Sequence, residues 1–214
     1  MTKRWLHTRR SDYYYKKAKQ MDYRSRAAFK LKQIDSRFHL FRKGYRVADL
    51  GAAPGGWLQI AKEAVGPSGK VVGVDLQTIP PIDGVETIRG DLRKEETVGR
   101  LLQVLGGEAD VVLSDMSPNI SGNYSTDHAR SVGLVETALG IAKVTLRPGG
   151  SFVAKVFEGD MIGDLRRVVE SCFKEVRLHS PKASRSSSSE IYIVARGFQP
   201  EKLAGLDDEM PTHG

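Results

Sequence analysis

The sequence predicts an α/β protein built on an open, mostly parallel sheet with helices on both faces. An apolar run ending at Ala48 leads through a glycine-rich turn, residues 49–57, into a helical segment. Further strand-length apolar runs alternate with helix-length segments, which is typical of βαβ units. The second strand ends in Asp75, about 20 residues after the turn, where nucleotide-binding folds place a carboxylate on a ribose.

The composition excludes several classes of protein. The 214 residues are 40% hydrophobic and 28% charged, which is ordinary for one globular domain. Cys172 is the only cysteine, no apolar run approaches the ~20 residues of a membrane span, and the five histidines form no ligand cluster. The N-terminus is charged and lacks an apolar signal segment. We therefore expect a cytoplasmic protein without a membrane span, disulfide or metal, and a monomer is favoured.

Positive charge is concentrated in one segment of the chain. Residues 1–46 hold 15 Lys or Arg against three Asp, whereas the remaining 168 residues hold 18 basic and 23 acidic residues. Trp5 and several tyrosines lie among these basic residues, so the segment offers charge for phosphates and rings for stacking. This pattern favours contact with nucleic acid over a merely solubilising tail.

The N-terminal region predicts an arm followed by a helix. Residues 1–22 lack sustained apolar periodicity, and we expect an arm, in part helical, that becomes ordered on its partner. From Arg24, apolar residues at spacings of four, three and four predict an amphipathic helix that packs on the sheet. These residues are Ala27, Leu31, Ile34 and Phe38. Lys30 lies roughly 70° from the centre of this stripe, so its ammonium either reaches over the sheet edge or snorkels to solvent.

The glycine-rich turn predicts a binding site. Gly51, Gly55 and Gly56 let the backbone approach a ligand closely, and they aim the first amides of the next helix, at 58–64, outward.

Two acids at successive strand ends support this site. Asp75 ends the strand 70–75, and Asp91 follows the strand 85–89 after a loop at 78–84. Loops at the carboxyl ends of parallel strands surround the ligand crevice, so both acids should face the turn. Either acid could instead only cap a helix.

The next two strands carry a second acid and an unusual lysine. Asp115 ends the buried run 109–115, and Lys155 is the one charged residue of the apolar run 151–157. A buried ammonium is costly unless it has partners or gives up its proton. This cost makes Lys155 a candidate functional residue.

The remaining segments continue the alternation of helices and strands. We expect a mobile loop at Ile120–Asp127, a helix over 131–146 that Pro148-Gly149-Gly150 terminates, and a disordered tail at 199–214. Glu190 opens the last strand and alone would be an ordinary strand-end acid. Further helices are expected at 92–105 and 161–172, strands at 173–178 and 190–195, and a serine-rich polar loop at 179–189.

Together, several stretches resemble the FtsJ-like RNA 2′-O-methyltransferases, most closely the branch that acts on large-subunit ribosomal RNA. The stretches are Tyr23–Leu31, Asp49–Trp57, Ser114–Asn119, Ala154–Phe157 and Ser187–Tyr192. The resemblance covers about residues 22–197. We therefore expect a methyltransferase domain at 23–198, between the arm at 1–22 and the tail.

This resemblance implies a fold, a cofactor and a set of roles. The fold is the class I methyltransferase (Rossmann-like) fold with seven strands, six parallel and one antiparallel, and the methyl donor is S-adenosylmethionine. The implied substrate is RNA, with a uridine of the large-subunit ribosomal RNA as the expected acceptor. The implied catalytic tetrad is Lys30, Asp115, Lys155 and Glu190. The expected cofactor-binding residues are Gly51, Gly55, Gly56, Trp57, Asp75, Asp91 and Asp115.

The residue types of the tetrad agree with this chemistry. A ribose 2′-hydroxyl is a poor nucleophile at neutral pH, so the protein must align it and remove its proton. Lys155 is the candidate base. Burial and Lys30 would lower the pKa of Lys155, whereas Asp115 and Glu190 would raise it. Electrostatic orientation of the hydroxyl by Lys155 therefore stays an alternative.

Three other functions are weighed against this interpretation. A transfer RNA methyltransferase of the same family would use the same motifs. An NAD-dependent oxidoreductase is disfavoured because Ala52-Ala53-Pro54 follows Gly51 where a dinucleotide fold has G-x-G-x-x-G. A non-catalytic RNA-binding module would explain the basic segment but not Lys155.

Overall fold

A seven-stranded sheet organises the chain, whose computed structural model describes residues 13–184 and 188–201. The strands are β1 (Arg46–Leu50), β2 (Lys70–Asp75), β3 (Glu86–Arg89), β4 (Ala109–Ser114), β5 (Leu146–Phe157), β6 (Phe173–His179) and β7 (Glu190–Phe198). Their order is β3-β2-β1-β4-β5-β7-β6, and β7 pairs antiparallel with both β5 and β6. The predicted fold, with six parallel strands and one antiparallel strand, is confirmed.

Helices cover both faces of this sheet. They are α1 (residues 13–20), α2 (Ala28–Phe38), α3 (Gly56–Val65), α4 (Glu95–Leu105), α5 (Tyr124–Thr145) and α6 (Ile162–Glu170). On one face, Leu31 of α2 and Leu58 of α3 pack in one core with Leu113 of the sheet. On the other face, helices α4, α5 and α6 share a second core, in which Val135 packs with Phe152.

Alternation along the strands decides which side chains face α2 and α3. Successive strand residues point to opposite faces, so a residue two positions along the strand returns to the same face. The apolar residues Val47, Leu113, Val153, Tyr192 and Val194 belong to the core beneath α2 and α3. Asp49, Asp115 and Lys155 each follow one of these residues by two positions. The sheet therefore gathers these three polar side chains on the α2–α3 face, near the carboxyl ends of β1, β4 and β5.

The predicted mobile loop at Ile120–Asp127 is wrong in its second half. Helix α5 begins at Tyr124, seven residues before the predicted start at Ser131. The same residue types that predict a loop here act as a helix cap, because their side chains bind backbone N–H groups.

Two side chains fix this early start of α5. The Asn123 side chain accepts a hydrogen bond from the Thr126 amide at 3.0 Å. The Asp127 carboxylate accepts bonds from the Ser121 amide at 2.8 Å and the Ser121 hydroxyl at 2.7 Å. The amide of Gly122 also donates to Asp127, at 3.1 Å. The loop before α5 is therefore tied back onto the first turn of the helix.

Several other predicted boundaries shift. Helix α2 begins at Ala28 rather than near Arg24. Helix α5 ends at Thr145, and strand β5 begins directly after it at Leu146, so Pro148-Gly149-Gly150 lies within an irregular part of the strand. The predicted helices 92–105 and 161–172 are shorter, at Glu95–Leu105 and Ile162–Glu170, and the strands 173–178 and 190–195 are longer, at Phe173–His179 and Glu190–Phe198.

Parts of three predicted segments lie outside the described residues. They are residues 1–12 of the arm, 185–187 of the serine-rich loop and 202–214 of the tail. The rest of the arm is helical at 13–20, where Ala18 is buried and Tyr14 packs on Phe29. Of the helices in 13–184 and 188–201, none has the length and apolar character that crossing a bilayer requires.

Candidate active site

The glycine-rich turn joins β1 to α3 at the carboxyl edge of the sheet. Gly55, which precedes α3, has a φ of +107°, a conformation that L side chains rarely adopt. A Cβ on Gly56 would clash with the side chain of Ser25. The turn is fixed to the next strand because the amides of Gly51 and Ala52 both donate to the Val74 carbonyl, at 2.8 and 3.1 Å.

A small cavity over this turn, which we call the inner cavity, is bounded by carboxyl groups. It has a volume of about 150 Å³ and is lined by the turn together with Ser25, Asp49 and Asp115. Asp49 is completely buried, and neither of its carboxyl oxygens has a hydrogen-bond partner within the described part of the chain. Burial above all, followed by the charges of Asp115 and Asp75, raises the pKa of Asp49 well above its ordinary value. A cation in the inner cavity would relieve this repulsion.

Asp75 stands at the end of β2 beside the turn, as the sequence predicts. Its two carboxylate oxygens accept bonds from the amides of Ala53, at 2.9 Å, and Gln77, at 2.8 Å. These bonds fix the carboxylate, and each oxygen keeps a second lone pair for a ligand hydroxyl.

The four residues of the predicted tetrad lie together where α2 packs on the sheet, with Lys30 on α2 and the other three at the ends of β4, β5 and β7. Lys30 and Glu190 form an ion pair of 2.7 Å, and the Lys155 ammonium lies 3.2 Å from the Asp115 carboxylate. Lys155 also donates to the Asp115 carbonyl at 2.8 Å. The two lysines are only 5% and 7% exposed, so each ammonium is largely removed from water beside a carboxylate. A buried charge in this position is tolerated because it is paired.

Strand pairing holds the tetrad in register. In the antiparallel pair of β5 and β7, Lys155 is opposite Tyr192 and Phe157 is opposite Glu190. Burial raises the pKa of Glu190, but the charge and hydrogen bond of Lys30, helped by Lys155, outweigh it and hold this pKa below its ordinary value. Glu190 is therefore an ionised partner for both lysines at neutral pH.

Tyr192 is a fifth polar group in this cluster. It is completely buried, and its hydroxyl donates to the Asp115 carboxylate at 2.8 Å. Burial first, then the charges of Asp115 and Glu190, raises the pKa of Tyr192 well above its ordinary value. The phenol stays protonated, and it steadies the carboxylate that pairs with Lys155.

Two other predicted cofactor residues have protein partners of their own. The Asp91 carboxylate binds the Arg93 guanidinium, with its shortest contact at 2.6 Å, and these bonds lower the pKa of Asp91 to about 2. The indole of Trp57 is buried, donates to the Ala27 carbonyl at 2.8 Å and packs on Tyr192. The Asp91 carboxylate is thus held by Arg93, and Asp91 lines neither the inner cavity nor the larger cavity on the other side of the tetrad. Trp57 links α3 to the residues before α2 and borders the inner cavity.

A second and larger cavity, the outer cavity, opens on the other side of the tetrad. Its volume is about 540 Å³, and Glu190 lines it together with residues from three loops. Among the lining residues are Arg26, Ser117, Ile120, Tyr124 and Ser189. Asp115 borders the inner cavity and Glu190 the outer one, so the tetrad separates two binding spaces.

Sequence reasoning missed Asp49 and Tyr192 as parts of this site. The sequence does contain a signal for Asp49. Burying a carboxyl between Ala48 and Leu50 of an apolar strand costs free energy in the same way as burying the lysine of β5. Tyr192 follows Glu190 by two positions and so shares its face of the sheet.

Comparison with known proteins identifies the family. The model of the FtsJ-like methyltransferases matches residues 23–198, which is most of the chain. The chain belongs to the FtsJ-like methyltransferase family. The resemblance inferred from the sequence motifs is confirmed, and the chain is a methyltransferase with S-adenosylmethionine as its cofactor.

Relatives of this methyltransferase carry a more specific name. It is 55% identical to the ribosomal RNA large subunit methyltransferase E of Methanothrix thermoacetophila over 86% of this chain and 72% of that protein. Its identity to the enzyme of that name from Methanocaldococcus jannaschii is 47%, over 94% and 84% of the two chains. Among solved structures, a ribosomal RNA methyltransferase of Plasmodium falciparum matches with a TM-score of 0.74 at 28% identity, over 82% of this chain and 98% of that one.

Replacement of Asp49 by Asn tests the electrostatics of the inner cavity. Because the folded-state pKa of Asp49 is raised, its contribution to the free energy of unfolding is largest at low pH and is lost as the pH rises towards that pKa. Asn cannot ionise, so Asp49→Asn should gain stability relative to wild type as the pH rises from the ordinary carboxyl pKa of 3.8 towards the raised folded-state pKa of Asp49. Urea unfolding at several pH values measures this difference. A stability difference that does not change with pH would show that folding does not raise the pKa of Asp49.

Proposed function

We propose that this methyltransferase transfers a methyl group to a ribose 2′-hydroxyl of large-subunit ribosomal RNA, with a uridine as the acceptor nucleotide. The observation that carries the proposal is the position of the tetrad between two cavities, one bounded by carboxyl groups and one open to solvent. The names of the relatives support the choice of ribosomal RNA over transfer RNA. The cytoplasmic location inferred from the sequence is part of this proposal.

The inner cavity suits a cationic cofactor. Asp49, Asp75 and Asp115 lie close enough for the two others to raise the pKa of Asp49, so the site favours positive charge. S-adenosylmethionine supplies, when bound, a methyl group that the positive charge on its sulfur has already activated. Asp75 is placed to accept hydrogen bonds from ribose hydroxyls, and Asp49 from an ammonium. The anionic pyrophosphate of a dinucleotide would be repelled by the same three acids.

Lys155 is the residue of the chain best placed to act on the hydroxyl. Two of its three N–H positions have the carbonyl and the carboxylate of Asp115 as partners, which leaves the third for a substrate oxygen. In our proposal this third position loses its proton to solvent before turnover, and the lone pair of the resulting neutral amine accepts the proton of the 2′-hydroxyl. Asp115 and the phenol of Tyr192 keep Lys155 in place.

The Lys30–Glu190 pair completes the site from the outer side. Glu190 lines the outer cavity and adds negative charge near Lys155, while Lys30 neutralises Glu190 across 2.7 Å. In our proposal Glu190 positions the ribose and Lys30 prevents a lone carboxylate from repelling the RNA backbone.

One residue of the basic segment 1–46 lies at the outer cavity. Arg26 lines this cavity, whereas Arg24 lies beside the glycine-rich turn, where it donates to the carbonyls of Pro80 and Pro81, both at 2.6 Å, and of Pro54 at 3.2 Å. We propose that residues 1–46 neutralise phosphates of the RNA whose ribose enters the outer cavity. The acidic remainder of the chain offers no comparable concentration of positive charge.

Substitution of Lys155 tests its role in the chemical step. Lys155→Ala should bind both substrates, while its single-turnover rate falls by about 10²–10⁴-fold, the usual worth of general-base assistance. Lys155→Arg should be similarly slow, because arginine keeps the charge but does not release a proton at neutral pH. Lys70→Ala, at the partly exposed start of β2, is the matched control and should keep full activity. Transfer of a radiolabelled methyl group to ribosomal RNA, followed by nucleoside analysis, measures all three rates.

Near-wild-type rates in Lys155→Arg at saturating RNA and cofactor would overturn the assignment of Lys155 as base. Electrostatic orientation of the hydroxyl would then be the better account of Lys155.

Neutralisation of the arm tests its contact with RNA. The quadruple change of Lys3, Arg4, Arg9 and Arg10 to Gln should weaken RNA binding and lower the slope of log affinity against log salt by up to about 3, since each phosphate contact contributes about 0.7–0.9. Gln at four exposed positions of the acidic remainder, Arg100, Arg166, Arg167 and Lys174, is the control and should leave the slope unchanged. Filter binding across a salt series measures both variants, and equal slopes for the two would show that the arm is only a solubilising tail.

A further inference from the structure

Two large apolar side chains are exposed within the outer cavity. Tyr124 is 61% exposed and Ile120 is 65% exposed, and both line this cavity together with Glu190. Exposed apolar surface inside a concave site marks a place where a ligand is bound. Neither residue takes part in the chemistry proposed above.

The ring of Tyr124 is turned in an unusual direction. A partly exposed tyrosine ordinarily keeps its hydroxyl in water and its ring against the protein. Here the hydroxyl donates to the Glu158 carbonyl at 2.6 Å, just after β5, so the polar tip is bonded to the protein backbone. The exposed part of Tyr124 is therefore mainly its aromatic surface.

A buried histidine supports this ring from below. The rings of Tyr124 and His128 lie nearly parallel, with an angle of 17° between their planes and 6.5 Å between their centroids. His128 is 1% exposed, its Nδ1 lies 3.0 Å from the Phe157 carbonyl, and its Nε2 accepts from the Met161 amide at 3.1 Å. With both nitrogens engaged, the imidazole cannot turn, and Tyr124 is held in one orientation.

Ile120 is held in place by a different set of bonds. It precedes Ser121 and Gly122, whose amides donate to the buried carboxylate of Asp127. The Arg130 guanidinium donates to the Asn119 carbonyl on the other side of Ile120, at 3.1 Å. Both apolar side chains thus stand on a backbone that is already ordered.

We propose that Tyr124 and Ile120 form a stacking subsite for the base of the acceptor nucleotide. This inference rests on the proposed function, because a ribose delivered to Lys155 brings its base into the outer cavity beside Glu190. A nucleotide whose ribose reacts must leave its stacked neighbours, and aromatic or apolar side chains replace the lost stacking. The hydroxyls of Ser117 and Ser189, which line the same cavity, are available to the polar edge of the base.

The subsite predicts a defect that depends on the base. Stacking of one base on an aromatic side chain corresponds to about 5- to 150-fold in affinity, so Tyr124→Ala should raise KM for ribosomal RNA by that factor and change kcat less than KM. Tyr124→Phe keeps the ring and should stay within about threefold of wild type. Val144→Ala alters an equally exposed apolar residue at the far end of α5 and should have no effect.

A cycle with modified RNA tests the contact itself. The substrate is a synthetic fragment of large-subunit ribosomal RNA, prepared with the intact acceptor nucleotide or with an abasic ribose that retains its 2′-hydroxyl. If Tyr124 stacks on the acceptor base, Tyr124→Ala should weaken binding of the intact fragment in the presence of S-adenosylhomocysteine and leave binding of the abasic fragment unchanged. Equal weakening of both fragments, or of neither, would overturn the subsite. Methyl transfer by the wild-type protein is a separate readout, and its absence would overturn the proposed function instead.

Discussion

The structure depends on the burial of two ammonium groups between α2 and the sheet. Lys30 and Lys155 are almost completely removed from water, and Glu190 and Asp115 lie beside them at 2.7 and 3.2 Å. Removal of one member of a buried pair typically costs about 3–5 kcal/mol, because the remaining charge is left without a partner. Each member of the tetrad is therefore stabilised by its partner, and the two elements that supply a pair must come together for that pair to form. Strand β7 supplies Glu190 through its antiparallel pairing with β5, and α2 supplies Lys30 from the other end of the chain.

Charge is divided between the two sides of this unit. The inner side holds Asp49, Asp75 and Asp115, and their mutual repulsion makes a cation the natural ligand. On the outer side, Arg26 of the basic segment 1–46 lines the cavity, and a positive charge there suits a polyanion. The two sides of Lys155 thus favour ligands of opposite charge. In our proposal the methyl group passes from a cationic donor on the inner side to an RNA hydroxyl on the outer side.

Much of this site could be predicted from sequence because buried charge is expensive. Lys155 stood out as an ammonium in an apolar strand, and Asp75, Asp91 and Asp115 stood out as acids at strand ends, where an open sheet forms its crevice. Contacts between segments distant in sequence were not accessible in this way. The bond from Tyr192 to Asp115 joins β7 to the end of β4, and it depends on side-chain directions that no local pattern fixes. The start of α5 was missed because Asn123 and Asp127 favour loops and helix caps equally.

The central claim is that the tetrad methylates a ribose of large-subunit ribosomal RNA. It is tested most directly by mapping 2′-O-methylation across total RNA from cells that produce the wild-type protein or Lys155→Ala in its place. The account predicts that a uridine of the large-subunit ribosomal RNA loses its methyl group in the variant, while methylation of transfer RNA is unchanged. An identical ribosomal profile in the two strains, or a loss confined to transfer RNA, would contradict it.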